Sequence, residues 1–217
     1  PLAVAIPETV EQIKAILAIC YQENIPVVAR GAGTGLSGGA LPLENGLLLS
    51  LAKFNKIQSI DAQNFSAVVQ PGVRNLAISE AASEHGLYYA PDPSSQIACS
   101  IGGNVAENAG GVHCLKYGLT VHNIIKLKVL TIEGEELTIG CDAFDSPGYD
   151  FLALMTGSEG MLAIILEITV KLLPIPAVAK VIMASFNDVA VAGQAVSDVI
   201  GEGIIPAGLE LMDKVAI

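Results

Sequence analysis

Three glycine-bearing segments are the places where this main chain could do chemistry. The first is Arg30-Gly31-Ala32-Gly33-Thr34-Gly35-Leu36-Ser37-Gly38-Gly39, with five glycines in the nine residues after Arg30. The second is Ser100-Ile101-Gly102-Gly103-Asn104-Val105-Ala106-Glu107-Asn108-Ala109-Gly110-Gly111, and the third is Gly157-Ser158-Glu159-Gly160. Glycine adopts backbone conformations other residues enter only under strain, and it lets another group approach closely. Successive N–H groups in such conformations form concave anion sites. The Gly102–Gly103 pair is expected to let a phosphate approach a helix N-terminus, where the dipole favours negative charge. Each segment also has a plain alternative: a flexible surface turn, tight helix packing and a simple turn before a strand. Three together in one modest domain point to a large, extended, phosphate-bearing ligand.

More familiar motifs fail on context. Gly33-x-Gly35-x-x-Gly38 matches the dinucleotide fingerprint, and Asp61 follows Gly38 by 23 residues. That fingerprint needs a helix to open directly after the glycines. Ala40-Leu41-Pro42-Leu43-Glu44-Asn45-Gly46 follows instead, with Pro and Gly where the helix would run. Gly35-Leu36-Ser37-Gly38-Gly39 matches a nucleophile elbow and fails for the same reason. A Walker A loop would need a Gly-Lys-Ser/Thr sequence, and the segment holds no Lys. His113, Cys114 and His122 lack the tight four-ligand spacing of structural zinc. His85 reads as a surface residue at a helix end. Cys20, Cys99, Cys114 and Cys141 contain no CxxC pair, which fits reduced thiols better than a disulfide framework.

The elements that position these segments are mixed. Val10, Ile13, Leu17 and Cys20 fall on one helical face. Thr9 and Gln12 resemble a capping box, with Pro7 at the helix entry. Pro26–Ala29 reads as a buried strand running into the first loop. Further strands are expected at 47–51, 57–60 and 67–70. A helix is expected over 75–84 with Gly86 as its stop, then a turn-rich loop at Pro91-Asp92-Pro93-Ser94-Ser95. Ser100 caps a helix that Gly110-Gly111 should end. A hairpin is expected from 123–132 and 136–139 around Glu133-Gly134-Glu135. Alternation from Leu166 to Leu172 predicts a half-buried strand. After Pro174 and Pro176 come an expected strand at 181–186, a helix at 189–200 and a helical turn near Leu211.

Composition bounds the function. The 217 residues include 11 Lys plus Arg and 22 Asp plus Glu, a net charge of −11. That argues against a nucleic-acid partner, which needs clustered basic residues. A hydrophobic share of 52% argues against disorder. No stretch reaches the roughly 18 apolar residues a membrane span needs. The first residues lack a basic head and a cleavage site, so no signal peptide is read. The chain is read as a piece of a longer protein. An acidic protein that binds an anionic ligand must do so with locally placed donors rather than net charge.

The segments from Arg30, Pro91-Asp-Pro-Ser-Ser, Ser100 to Gly111, and Thr156-Gly-Ser-Glu-Gly-Met-Leu resemble the FAD-binding domain of the vanillyl-alcohol oxidase (PCMH-type) flavoproteins, in order and spacing. Val112-His-Cys-Leu-Lys-Tyr-Gly, Asp145-Ser-Pro-Gly-Tyr-Asp and the run through Leu173-Pro174 narrow the resemblance. They point to the FAD-linked glycolate oxidase subunits, relatives of the D-lactate dehydrogenases.

The resemblance implies an α+β fold: two α+β subdomains, 1–72 and 73–176, holding FAD between them. Residues 177–217 would begin a substrate cap domain. Arg30, Gly31, Ala32, Gly33, Thr34, Gly35, Leu36, Ser37 and Gly38 would wrap the pyrophosphate. Pro91, Asp92 and Ser95 would line the flavin region. Gly102, Gly103, Asn104, Ala106 and Asn108 would contact pyrophosphate, ribityl chain or ring, with Gly111, Gly118 and Val121 continuing that wall. Glu159, Gly160, Ile164 and Ile165 would lie along the adenosine half. Thr34 stands where some family members carry a His that bonds to the flavin, so noncovalent FAD is expected.

The implied reaction oxidises a small 2-hydroxy acid, glycolate or D-lactate, to the 2-oxo acid, with hydride passing to flavin N5. The base would lie in the cap, so no catalytic residue is assigned in this chain, and the fragment alone is expected to show little or no turnover. The alternatives are another FAD-linked oxidase of the same fold, for instance of D-2-hydroxyglutarate type, or a flavin-binding subunit without catalysis. The implied partners are a second flavin-type subunit and an iron–sulfur subunit. The implied location is the cytoplasm, with any membrane contact through those partners. No metal site is assigned.

Overall fold

The computed structural model describes residues 1–142 and 147–215. A short strand β1 (Ala3–Ala5) leads into helix α1 (Val10–Gln22). The expected face is the buried one, with Ile13, Leu17 and Cys20 facing inward. Thr9 Oγ1 accepts the Gln12 N–H at 3.3 Å, as a cap should. The return half of the box is displaced by one residue: Gln12 Oε1 accepts from the Glu8 N–H at 2.7 Å. Strands β2 (Val27–Arg30) and β3 (Leu47–Ser50) complete a parallel sheet of order β1-β3-β2. Between them, residues 31–46 form no helix, in keeping with Pro42 and Gly46.

Strands β4 (Ile57–Asp61) and β5 (Ser66–Val69) form a hairpin. Helix α2 (Asn75–Ala82) runs through a 3-10 turn to Gly86, which ends it at φ 69°. Then come β6 (Leu87–Tyr88), α3 (Ile101–Glu107), α4 (Cys114–Tyr117) and the hairpin of β7 (Ile124–Leu130) and β8 (Glu136–Gly140). Helix α5 (Phe151–Met155), β9 (Ile164–Lys171), β10 (Leu173–Pro174) and α6 (Val189–Gly201) follow. The second sheet is antiparallel, in the order β4-β5-β9-β7-β8, and β10 pairs with β6.

Two cores result, one on each face of β9. Ile165, Ile168 and Val170 join Leu127, Val129, Ile78 and Ile101. Ile164 and Leu166 join Leu130, Leu49 and the α1 residues Ile13 and Leu17. The small parallel sheet and α1 are thus fixed against the larger sheet, and β2 delivers Arg30 beside α3.

Several expectations change. β4 and β5 precede Gly72 yet belong to the second sheet, so the expected division at Gly72 does not follow the sheets. β9 is more buried than expected: its start carries a second core through Ile164 and Leu166, Thr169 is buried, and only Glu167 and Lys171 stay part-exposed. Helix α3 ends at Asn108, which takes the left-handed conformation (φ 50°), before Gly110 is reached. Residues 181–186 form no strand, since none of the described residues pairs with them. Residues near Leu211 form no helical turn. Asp145 and Ser146 lie outside the described residues.

Candidate functional site

The loop after β2 carries the donors. Among the described residues, no backbone N–H from Gly31 to Ala40 donates a hydrogen bond. Gly33 (φ 72°) and Gly38 (φ 91°) hold left-handed turns that a side chain would strain. The loop lies along α3. A β-carbon at Gly31 would sit 2.0 Å from Ser100 Oγ, and one at Gly33 only 2.3 Å from Arg30 Nη2. The guanidinium is therefore folded over the loop. At the far end, Ser37 Oγ donates to Glu107 Oε2 at 2.8 Å. A β-carbon at Gly39 would lie 3.0 Å from Glu159 Oε2.

The other two glycine segments behave differently. The amides at the start of α3 are engaged: Ile101 N–H donates to Val73 O and Gly102 N–H to Pro71 O, both at 2.8 Å. Gly103 N–H faces Ser100 Oγ at 3.4 Å. A β-carbon at Gly102 would meet Pro71 Cβ at 2.6 Å, so this glycine serves close packing. In the third segment, Gly157 N–H and Glu159 N–H each donate at 2.8 Å, to Val105 O and Ala106 O. They satisfy the open carbonyls at the end of α3. The expectation that all three places offer bare amides is corrected: both ends of α3 take the nearest partners, and of the three places the first loop keeps the longest run of open donors.

One cleft brings most of the expected residues together. Arg30 to Gly35, Ser95, Gly102, Gly103, Asn104, Ala106, Glu159, Gly160 and Ile165 line it. Gly39, Pro71, Pro93, Cys99, Glu107 and Ala163 line it too. Gly39, Pro93 and Glu107 lie in segments the sequence marked but were not among the expected contacts, and nothing in residue type or spacing marked Pro71, Cys99 or Ala163. Other expected residues stand outside that wall. Leu36 is fully exposed. Pro91 O accepts from Asn75 Nδ2 at 3.0 Å. Asp92 is paired with His113, Oδ2 to Nδ1, at 2.7 Å. Gly111 packs against Asp92, where a β-carbon would meet the Asp92 O at 2.5 Å. Asn108 Oδ1 accepts the Val121 N–H at 3.0 Å, and Val121 lines a separate cleft with His122 and Tyr149. Gly118 (φ 80°) turns the chain against His122. Ile164 is buried in the second core.

Arg30 is the cation of the cleft, and Glu107 and Glu159 are its carboxylates. Burial pushes the Cys114 thiol up, which leaves it a poor nucleophile. Burial likewise holds the Tyr89 phenol above its ordinary range and neutral. The arrangement suits a ligand with a polyanionic part against the open amides and Arg30. An apolar part would face Pro71, Pro93, Ala163 and Ile165. A flavin dinucleotide fits that description.

Residues 1–140 match the family model described as the FAD binding domain, and residues 175–217 match that of the FAD linked oxidases, C-terminal domain. Glycolate oxidase subunit GlcD of Escherichia coli (strain K12) is 66% identical over 217 residues, 100% of this chain and 44% of the relative. The subunit of the same name from Bacillus subtilis (strain 168) is 44% identical over 99% of this chain and 46% of its own length. A D-lactate dehydrogenase of Archaeoglobus fulgidus is 37% identical over 97% of this chain and 47% of its own length. An alkyldihydroxyacetonephosphate synthase structure aligns over 94% of this chain and 40% of its own, with a TM-score of 0.78. At 21% identity that likeness shows the fold alone. The chain spans less than half the length of the curated relatives it matches. With an α+β fold, a cleft suited to a flavin dinucleotide and both family models matched, the chain belongs to the FAD-linked oxidases and carries their FAD-binding domain.

Proposed function

We propose that this chain is the FAD-holding part of an enzyme that oxidises a small 2-hydroxy acid, glycolate in the first place, to the 2-oxo acid. The observation that carries the proposal is the run of open amides from Gly31 to Ala40 on a cleft walled by α3. The choice of glycolate rests on the 66% identity to a glycolate oxidase subunit. FAD, when bound, supplies the acceptor for the electron pair released from the substrate's C–H bond.

The chain's own task is to bind and orient. The Gly31–Gly38 amides and Arg30 would hold the diphosphate. Asn104, Gly103, Ala106 and Ser95 would flank the ribityl chain and ring, and Glu159, Gly160 and Ile165 the adenosine half. Binding is noncovalent: Thr34 offers no imidazole and the Cys114 thiol is held protonated. Acid precipitation should therefore leave the flavin in the supernatant. The two subdomains would be 1–72 and 73–176, with β4 and β5 reaching into the second sheet, and residues 177–217 would begin the substrate cap. The enzyme would work as one subunit of several, beside a second flavin-type subunit and an iron–sulfur subunit, in the cytoplasm. Among the described residues, no helix is long and apolar enough to cross a membrane.

The test is a visible spectrum followed by turnover of the full-length protein. A flavin band and fastest dye reduction with glycolate, ahead of D-lactate and D-2-hydroxyglutarate, is expected. Absence of flavin would overturn the proposal. A flavin band with D-lactate fastest would move the chain to the second reading, which the 37% identity to a D-lactate dehydrogenase favours.

A further inference from the structure

A polar cluster lies behind the cleft wall, around a residue that no motif contains. Asn75, the first residue of α2, is 2% exposed. Its Nδ2 donates to Pro91 O at 3.0 Å and to Asn104 Oδ1 at 2.9 Å. Its backbone N–H donates to Cys99 O at 3.1 Å. One residue thus ties α2 to the 91–95 loop and to α3 through its side chain, and to the segment before α3 through its backbone.

The chemistry of this cluster fixes an orientation. Both hydrogens of the Asn75 amide face acceptors, so turning it over would set its oxygen against two other oxygens. Asn104 is then fixed in turn. Its Oδ1 must face Asn75, and its NH2 group is left on the other side. There one hydrogen meets Cys99 Sγ at 3.3 Å, and among the described residues that group meets no further acceptor. Asn104 is 4% exposed and lines the cleft. A buried amide with an open hydrogen calls for an acceptor from the ligand.

We propose that Asn75 is a positioning residue that makes Asn104 a hydrogen-bond donor, rather than an acceptor, to the flavin nucleotide. This deepens the function proposed above and rests on it. Pro93 and Ser95, two and four residues on from Pro91, are also on the cleft wall, so the same side chain sets the spacing between that wall and α3.

The experiment is a FAD titration of the full-length protein and its variants, read by flavin fluorescence and visible spectrum. Asn75→Asp is near-isosteric but offers acceptors where Asn104 needs a donor, so Asn104 must turn over. FAD binding should weaken about tenfold or more, the effect of leaving one buried hydrogen bond unmade. In an Asn104→Ala background the same change should add less than about twofold, since the group it orients is gone. Equal effects in both backgrounds would mean a merely structural role and overturn the inference. Unchanged affinity in Asn75→Asp would do the same.

A second readout needs no variant to fold. In 15N-labelled wild-type protein, the Asn104 side-chain NH2 resonance should shift on FAD addition. A resonance that stays in place overturns the inference. Wild-type protein that binds no FAD overturns the function itself, so the two failures are distinct.

Discussion

At Gly31 a β-carbon has no room: it would lie 2.0 Å from Ser100 Oγ and 3.3 Å from Ser100 Cβ. In Gly31→Ala either the loop leaves α3 or Ser100 gives up its place at the helix start. FAD affinity should fall at least about tenfold, because the open amides lose their common orientation. Combining it with Ser100→Gly, which removes both clashing atoms, should restore part of that loss in the same titration. Glu107 predicts the opposite sign. Its carboxylate receives Ser37 Oγ at 2.8 Å and faces the loop that must hold a diphosphate. Glu107→Gln keeps an acceptor for Ser37 and removes the charge. FAD should bind a few-fold tighter at low salt, with the gain shrinking as salt screens the site. At this scale the sequence shows the loop and hides its support. Glycine spacing exposes the loop because glycine is chemically distinct. Asn75 is one more asparagine until folding brings Pro91, Cys99 and Asn104 around it.

Local signals carried well into elements where the partners are near in sequence. The α1 face, its Thr9 cap and the β7–β8 hairpin all follow from residues within a turn or two. β9 did not, because its apparent alternation ignores what packs outside. Glu167, Thr169 and Lys171 read as a solvent face, yet Thr169 is only 6% exposed. The third glycine segment misled for a related reason, since its amides serve α3, some fifty residues earlier. The β4–β5 hairpin adds a pH signature of its own. Asp61 accepts from the N–H of Asn64 at 2.9 Å, from Asn64 Nδ2 at 2.7 Å and from the N–H of Gln63 at 3.0 Å. The Asn64 bonds, backbone first, hold its carboxyl below the usual carboxylate range. A depressed acid stabilises the fold fully above its unfolded pKa, near 3.9, and loses that contribution as pH falls through its folded value. Asp61→Asn keeps an acceptor in the turn without the charge. Its thermal midpoint should fall less between pH 6 and pH 3 than the wild-type midpoint does. An equal fall in both would show that the hairpin turn plays no part in acid sensitivity.

Over the whole molecule, charge opposes the ligand that the cleft is built to hold. The chain carries a net charge of −11, and a dinucleotide's diphosphate is anionic as well. At about 0.01 M salt the Debye length, roughly 30 Å, spans the molecule, and the approaching ligand meets the net charge. Near 0.15 M it is about 8 Å, and the ligand meets only the groups beside the loop. Those are Arg30 against Glu107 and Glu159, again one charge in excess on the negative side. Attraction is therefore confined to hydrogen-bonding distance, where the open amides act. FAD association with this chain should accelerate as salt is raised between those concentrations, while dissociation, governed by short contacts, changes little. Stopped-flow flavin fluorescence measures both. A nucleic-acid binder shows the reverse dependence, because its ligand is drawn in by a field of clustered cations. An association rate that falls with salt here would mean that Arg30 governs the approach from a distance. Capture would then belong to one guanidinium, and the peptide groups of the glycine loop would serve only to hold what it had already drawn in.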